Sequence, residues 1–87
     1  MTEPRKLTLY QFRGCPFCSM VERAIERLGV EVEMRDILRD SEAMQALVEA
    51  TGRRTVPVLQ IAEGEDAQWM PESRDIIAWL EREHAVA

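Results

Sequence analysis

Cys15-Pro16-Phe17-Cys18 stands between an apolar run, Leu7 to Phe12, and an amphipathic pattern of helical period. These are the only two cysteines among 87 residues, and packing alone does not ask for both within four positions, the first followed by a proline. A Cys-x-x-Cys at a strand-to-helix junction is a redox signature. The first cysteine falls at the helix N-terminus, where unpaired backbone N–H groups and the positive end of the helix dipole favour a thiolate. Such positions lower a cysteine pKa from about 8.5 to as little as roughly 3.5–7.5.

Outward from the motif, Leu7-Thr8-Leu9-Tyr10-Gln11-Phe12 alternates imperfectly and is apolar on both faces, the mark of a central strand covered on both sides. After the motif, Met20, Val21, Ala24, Ile25 and Leu28 make one helical stripe, which Gly29 closes as a C-terminal cap would. Pro16 suits the first turn, where its missing N–H costs little. Val30, Val32 and Met34 alternate with Glu31, Glu33 and Arg35 and predict a half-buried outer strand, parallel to the first because a helix joins them. Asp40 or Ser41 can cap a second helix with Met44, Leu47 and Val48 on one face, ending at Gly52.

Val56-Pro57-Val58-Leu59-Gln60-Ile61 reads as a third strand, although Pro57 cannot donate to a ladder. Glu63-Gly64-Glu65-Asp66 is turn chemistry, and Ala67 to Met70 returns as a short antiparallel strand. Glu72 or Ser73 then caps a last helix bearing Ile76, Ile77, Trp79 and Leu80. The predicted order is β-α-β-α-β-β-α, an α/β fold with a four-stranded mixed sheet and three helices. Repeats, linkers and low-complexity segments are absent.

Composition bounds the function. A chain of this length makes one small domain with one modest core, residues 1–87 as a single unit. Apolar residues at 46% and charged residues at 31% argue against disorder. A net charge of −5 makes nucleic acid an unfavourable partner. The longest apolar run, Ile76 to Leu80, is far short of the ~20 residues of a membrane span. The polar start, Met1 to Lys6, lacks the apolar stretch of a secretory leader. The expected location is cytoplasmic, where a vicinal cysteine pair is catalytic or metal-binding more often than a structural staple. A structural zinc needs about four ligands; the chain offers no second cysteine pair and a single histidine, His84, so no metal is expected.

With Cys15-Pro16-Phe17-Cys18, the order of elements and Thr55-Val56-Pro57 in view, the chain resembles a glutaredoxin of the thioredoxin-fold superfamily along essentially its whole length. The resemblance implies that Pro57 follows a cis peptide bond and faces the cysteines, leaving the Val56 backbone open to an extended peptide or to glutathione. Two departures stand out. The Gly-Gly and paired aspartates that commonly precede the last glutaredoxin helix are replaced by Trp69-Met70-Pro71-Glu72-Ser73, whose Glu-Ser is similar to the glutathione-binding turn of glutathione transferase N-terminal domains. Phe17 replaces the usual tyrosine of the motif and removes its hydroxyl.

The implied function is glutathione-dependent reduction of protein disulfides or protein-glutathione mixed disulfides by a dithiol glutaredoxin. Cys15 is the expected nucleophile and Cys18 the resolving thiol of the dithiol route. Glutathione carries two carboxylates and one ammonium. Arg13 and Arg54, with Arg53 beside it, are candidate carboxylate ligands; Thr55, Val56 and Pro57 would line the groove. Ser73 and the N–H groups around it would hold the γ-glutamyl carboxylate, Glu72 would face the ammonium, and Phe17 would pack on the bound thiol. Tyr10, Phe12 and Trp79 are expected in the core, Met20, Met34 and Met44 as filling, and His84 as a partner of the last helix's dipole. Glutathione is thus the expected co-substrate, disulfide-containing or glutathionylated proteins the partners, and a monomer the expected state. Two alternatives remain: a redoxin reduced by thioredoxin reductase, and a carrier holding an iron–sulfur cluster between two subunits through Cys15 and glutathione.

Overall fold

In the computed structural model, which describes residues 5–84, β1 (Lys6–Gln11) runs through the middle of the sheet with every residue after Lys6 buried. Leu7 and Leu9 face a cluster with Val21, Ile25, Ile76 and Leu80. Tyr10 faces a second one with Ile37, Ala43, Leu47 and Val58. A strand coated on both sides gains nothing from strict alternation, which explains its nearly continuous apolar run.

The remaining elements are α1 (Pro16–Leu28), β2 (Glu33–Asp36), α2 (Ser41–Thr51), β3 (Val58–Glu63), β4 (Asp66–Met70) and α3 (Ser73–Glu83), in the expected order. The sheet runs β2-β1-β3-β4. The β1–β2 pair is parallel and the other two are antiparallel. Buried residues of α1 and α3 cover the Leu7–Leu9 face, and those of α2 cover the Tyr10 face. This is the four-stranded, three-helix thioredoxin fold.

Several local expectations are corrected. The second strand begins at Glu33, not Val30. Gly29 adopts φ 67° and its N–H donates to Glu26 O, while the Val30 N–H donates to Ile25 O at 3.2 Å. Val30 therefore completes the closure of α1 and has no N–H left for the sheet. Val30 and Val32 pack, half-buried, against the α1–α3 cluster from the connection. Met34 is 40% exposed because β2 is a short edge strand.

Met20 is also exposed, at 49%, so the buried face of α1 is Cys18, Val21, Ala24 and Ile25. Three residues after Phe17, Met20 lies on the outward side that Phe17 shares. Phe12 lies just past the end of β1 and packs, half-buried, against the α2 cluster. Val56 and Pro57 precede β3 and are not part of it. The polar start falls outside the described residues as far as Pro4. Among the described residues, no helix is long and apolar enough to cross a membrane.

Candidate active site

Between β1 and α1 the chain turns through Gly14, whose φ of 95° disfavours a residue with a Cβ. The turn is tied by the Cys15 N–H donating to Phe12 O at 3.3 Å. Cys15 is the N-cap of α1 in extended conformation, followed by Pro16 at the first helical position. Its Sγ accepts the backbone N–H of Cys18 at 3.3 Å, using one of the donors that a helix start leaves free. The Cys15 carbonyl takes the Ser19 N–H at 3.0 Å and the Ser19 hydroxyl at 3.1 Å. No acidic residue occupies the first turn of α1, so no side chain there opposes negative charge on sulfur.

The two cysteines are unequal. Both are free thiols. Cys15 retains 5% exposure and Cys18 none. Burial, then its hydrogen bond to Cys15, pushes the Cys18 thiol up from 9.0 to about 12. Cys18 is accordingly a protonated thiol near neutral pH, and Cys15 is the one of the two residues that keeps any solvent exposure. Phe17 lies 60% exposed between them in sequence, as expected.

Sheet register brings the other predicted residues to the same end of the molecule. Tyr10 pairs with Val58, so the end of β1 and the head of β3 coincide. Leu59 pairs with Met70, which places the end of β4, and hence the start of α3, there as well. The Val56-Pro57 peptide is cis; Pro57 is buried and Val56 half-buried in the α2 cluster, two residues outside the β1–β3 ladder. Arg13, Arg53, Arg54 and Thr55 are exposed. The turn into Arg53, Arg54 and Thr55 is set by Thr51, whose hydroxyl donates to Leu47 O at 2.8 Å and accepts the Arg53 N–H at 3.2 Å.

At α3, Glu72 occupies the N-cap but makes no side-chain cap hydrogen bond, correcting the expectation of a capping side chain there. Ser73 is the first helical residue and is half-buried. The first N–H groups of α3 are thus not consumed by Glu72. At the far end of this helix, His84 is the C-cap and meets Trp79 edge-on at 6.0 Å. Among the described residues, no group of three or more His, Cys, Asp or Glu side chains could hold a metal.

The expected Asp40 cap of α2 is present, but the side-chain network built on it was not anticipated from the sequence. Asp40 caps α2 through the N–H groups of Glu42 and Ala43 and receives Arg35 through Nε and Nη2 at 3.3 and 3.0 Å. Arg35 reaches on to the Tyr10 hydroxyl at 3.4 Å, which itself donates to Gln60 Oε1 at 3.3 Å. Trp69 stacks on Tyr10 at 5.1 Å. No short sequence pattern signals it, because Arg35 meets Tyr10 only once β2 lies beside β1.

Comparison with known proteins agrees with this geometry. The glutaredoxin family model matches residues 7–65. Glutaredoxin 2 of Escherichia coli strain K12 is 28% identical over 76 residues, covering 87% of this chain and 33% of that protein. A probable glutaredoxin of Synechocystis is 34% identical over 62 residues, 70% of each chain. Among solved structures, a trimeric glutathione transferase of Leishmania superposes with a TM-score of 0.76 at 30% identity, over 91% of this chain and 18% of its own. A maleylacetoacetate isomerase of Anaeromyxobacter dehalogenans with glutathione in its active site gives a TM-score of 0.72 at 25% identity, over 97% and 39%. The chain therefore spans a third of the E. coli protein and less than that of the transferase. With the Cys-x-x-Cys at the head of α1, the cis proline at the head of β3 and a family match over most of its length, the chain belongs to the glutaredoxin family.

Proposed function

We propose that the chain is a glutathione-dependent thiol–disulfide oxidoreductase with Cys15 as nucleophile. The inequality of the two cysteines carries this reading: Cys15 is the helix N-cap, accepts a backbone N–H and keeps a little solvent exposure, while Cys18 is fully buried with its thiol pushed up to about 12. In the reaction, the Cys15 thiolate attacks the glutathione sulfur of a protein–glutathione mixed disulfide. A sulfur–sulfur bond forms to Cys15, the old one breaks, and the protein leaves as a thiolate that takes a proton from solvent. A second glutathione, as thiolate, attacks the Cys15 adduct, releases glutathione disulfide and restores the Cys15 thiolate. The net change is oxidation of one free glutathione, which leaves as glutathione disulfide with the glutathione taken from the protein, and reduction of the protein sulfur.

In the dithiol route Cys18 displaces the leaving group from Cys15 and forms an internal disulfide. Cys18 must first lose its proton. Once Cys15 is in a disulfide, neither its negative charge nor its thiolate acceptor holds the Cys18 proton, so ionisation becomes easier than in the free enzyme.

The glutathione site in this reading combines Arg13 or Arg54 on the glycine carboxylate, Val56 backbone groups on the cysteinyl portion beside Thr55 and Pro57, and Ser73 with the α3 N–H groups on the γ-glutamyl carboxylate. Glu72 faces the ammonium, and Phe17 covers the sulfur. Relatives with bound glutathione in the same fold support this reading. The test is turnover of a glutathionylated peptide with glutathione, glutathione reductase and NADPH. Turnover supported only by thioredoxin reductase would instead identify a thioredoxin-coupled redoxin.

A further inference from the structure

The turn joining β2 to α2 is firmly braced and yet directs an apolar side chain outward. The Ile37 N–H donates to Gln11 O at 2.9 Å, the Leu38 N–H to Asp36 Oδ1 at 2.9 Å, and the Arg39 and Asp40 N–H groups both to Asp36 O, at 3.2 and 2.9 Å. Asp40 at its end caps α2 and binds Arg35. A turn pinned at both ends cannot fold inward to hide Leu38, which is 68% exposed. A lone surface leucine needs no explanation; its position is what matters. Parallel pairing sets Gln11 opposite Asp36, so the turn stands beside the loop that leads into Cys15. Phe12, Ile37 and Val56 share one apolar cluster, which locks the loops of this end together.

Charge says what the turn faces. Arg39 in the turn, and Arg13, Arg53 and Arg54 in neighbouring loops, are exposed. Among the described residues none of the four joins an ion pair, and neither do Arg23, Arg74 and Arg82, whereas Arg5, Lys6, Arg27 and Arg35 all do; what sets the four apart is that they cluster in the loops around Cys15. A chain of net charge −5 thus carries a free positive rim at the end of the sheet where Cys15 lies. If glutathione takes the β3–α3 flank of Cys15, as the proposed function has it, the polypeptide on the other side of the disulfide leaves over the β2–α2 flank.

On that reading, we infer that the Leu38–Arg39 turn docks the protein half of the substrate and selects cysteines in acidic segments that also carry an apolar residue. Leu38 supplies the apolar contact and Arg39 the charge, with Arg53 and whichever of Arg13 and Arg54 is not engaged by glutathione attracting the segment from a distance.

The experiment uses two peptides glutathionylated on the same cysteine, one flanked by Glu and Leu and the other by Lys and Ser. The mixed disulfide of glutathione with 2-mercaptoethanol serves as a substrate without a polypeptide. The acidic peptide should show about tenfold higher kcat/KM than the basic one, falling with added salt. The double variant L38S/R39E should abolish that preference and leave the small substrate unchanged. Equal kcat/KM for the two peptides, with the small substrate still turned over, overturns the docking role and leaves the reaction standing. Failure to turn over the small substrate contradicts the reaction itself. Docking is then judged by fluorescence anisotropy of both labelled peptides on the Cys15→Ser protein, where equal affinities overturn it.

Discussion

The backbone N–H of Cys18 donates to Cys15 Sγ at 3.3 Å, while the Cys18 thiol itself is fully buried and pushed up to about 12. One residue therefore serves its neighbour twice, by its main chain as a donor and by its side chain as a thiol that stays protonated. On the proposed reaction, glutathione transfer needs only the Cys15 sulfur. Cys18→Ser should keep most of the turnover of a glutathionylated peptide and lose the capacity to form an internal disulfide. Steady-state assay together with thiol counting after oxidation checks both.

Stability should fall in alkali. In the unfolded chain Cys18 ionises near 9.0, and in the folded protein it holds its proton to about 12. Between those values the folded state binds more protons than the unfolded state, so unfolding becomes easier as pH rises; below 9.0 the contribution is fully present. The slope from this group approaches about 1.4 kcal/mol per pH unit inside the window. Urea midpoints at about pH 8 and pH 10.5 should separate more in the wild type than in Cys18→Ser, and equal separations would contradict the assignment.

Gly14 precedes Cys15 at φ 95° with open space around a would-be Cβ. The obstacle to a side chain is therefore backbone strain alone, about 1–2 kcal/mol. Gly14→Ala should lower the denaturation midpoint accordingly. It should also reduce kcat/KM, because relief of that strain displaces Cys15; Gly14→Asn, which tolerates positive φ better, should recover part of both losses.

Asp40 should contribute to stability only while ionised. Arg35 first, and then the Ala43 N–H, hold its carboxyl below the ordinary 3.8. A lowered folded pKa means stability that is present above the unfolded value and lost as pH falls through the folded one. Asp40→Ala should destabilise the protein at neutral pH and much less in strong acid, measured by chemical denaturation at both. It should also loosen the Leu38 turn, visible as faster amide exchange of Leu38 and Arg39.

Legibility followed distance along the chain. Cys15 to Cys18 and Thr55 to Pro57 are short contiguous patterns, and two of their local expectations are met: Cys15 heads α1 and the bond before Pro57 is cis. The central position of β1 was equally readable, because double coverage writes an apolar run. Val30 and Val32 misled for a physical reason: their alternation comes from packing a helix-closing connection against α1 and α3, and it imitates the period of a strand. Met20 misled because helical spacing admits a wider stripe than the sheet covers. The Arg35–Asp40–Tyr10 network and the outward Leu38 were illegible, since they depend on β2 lying beside β1 in one register. Glu72 shows the converse, a residue in the right place without the capping bond expected of it.

The central claim is that Cys15 alone accepts glutathione. Incubation of wild type, Cys15→Ser and Cys18→Ser with a glutathionylated peptide in the absence of free glutathione, followed by mass spectrometry of the digested protein, tests it directly. The account predicts a stable glutathione adduct on Cys15 in the Cys18→Ser protein, an internal disulfide in the wild type and no adduct in Cys15→Ser. An adduct on Cys18 of the Cys15→Ser protein, formed at a comparable rate, or an unmodified Cys15 in the Cys18→Ser protein, would contradict it.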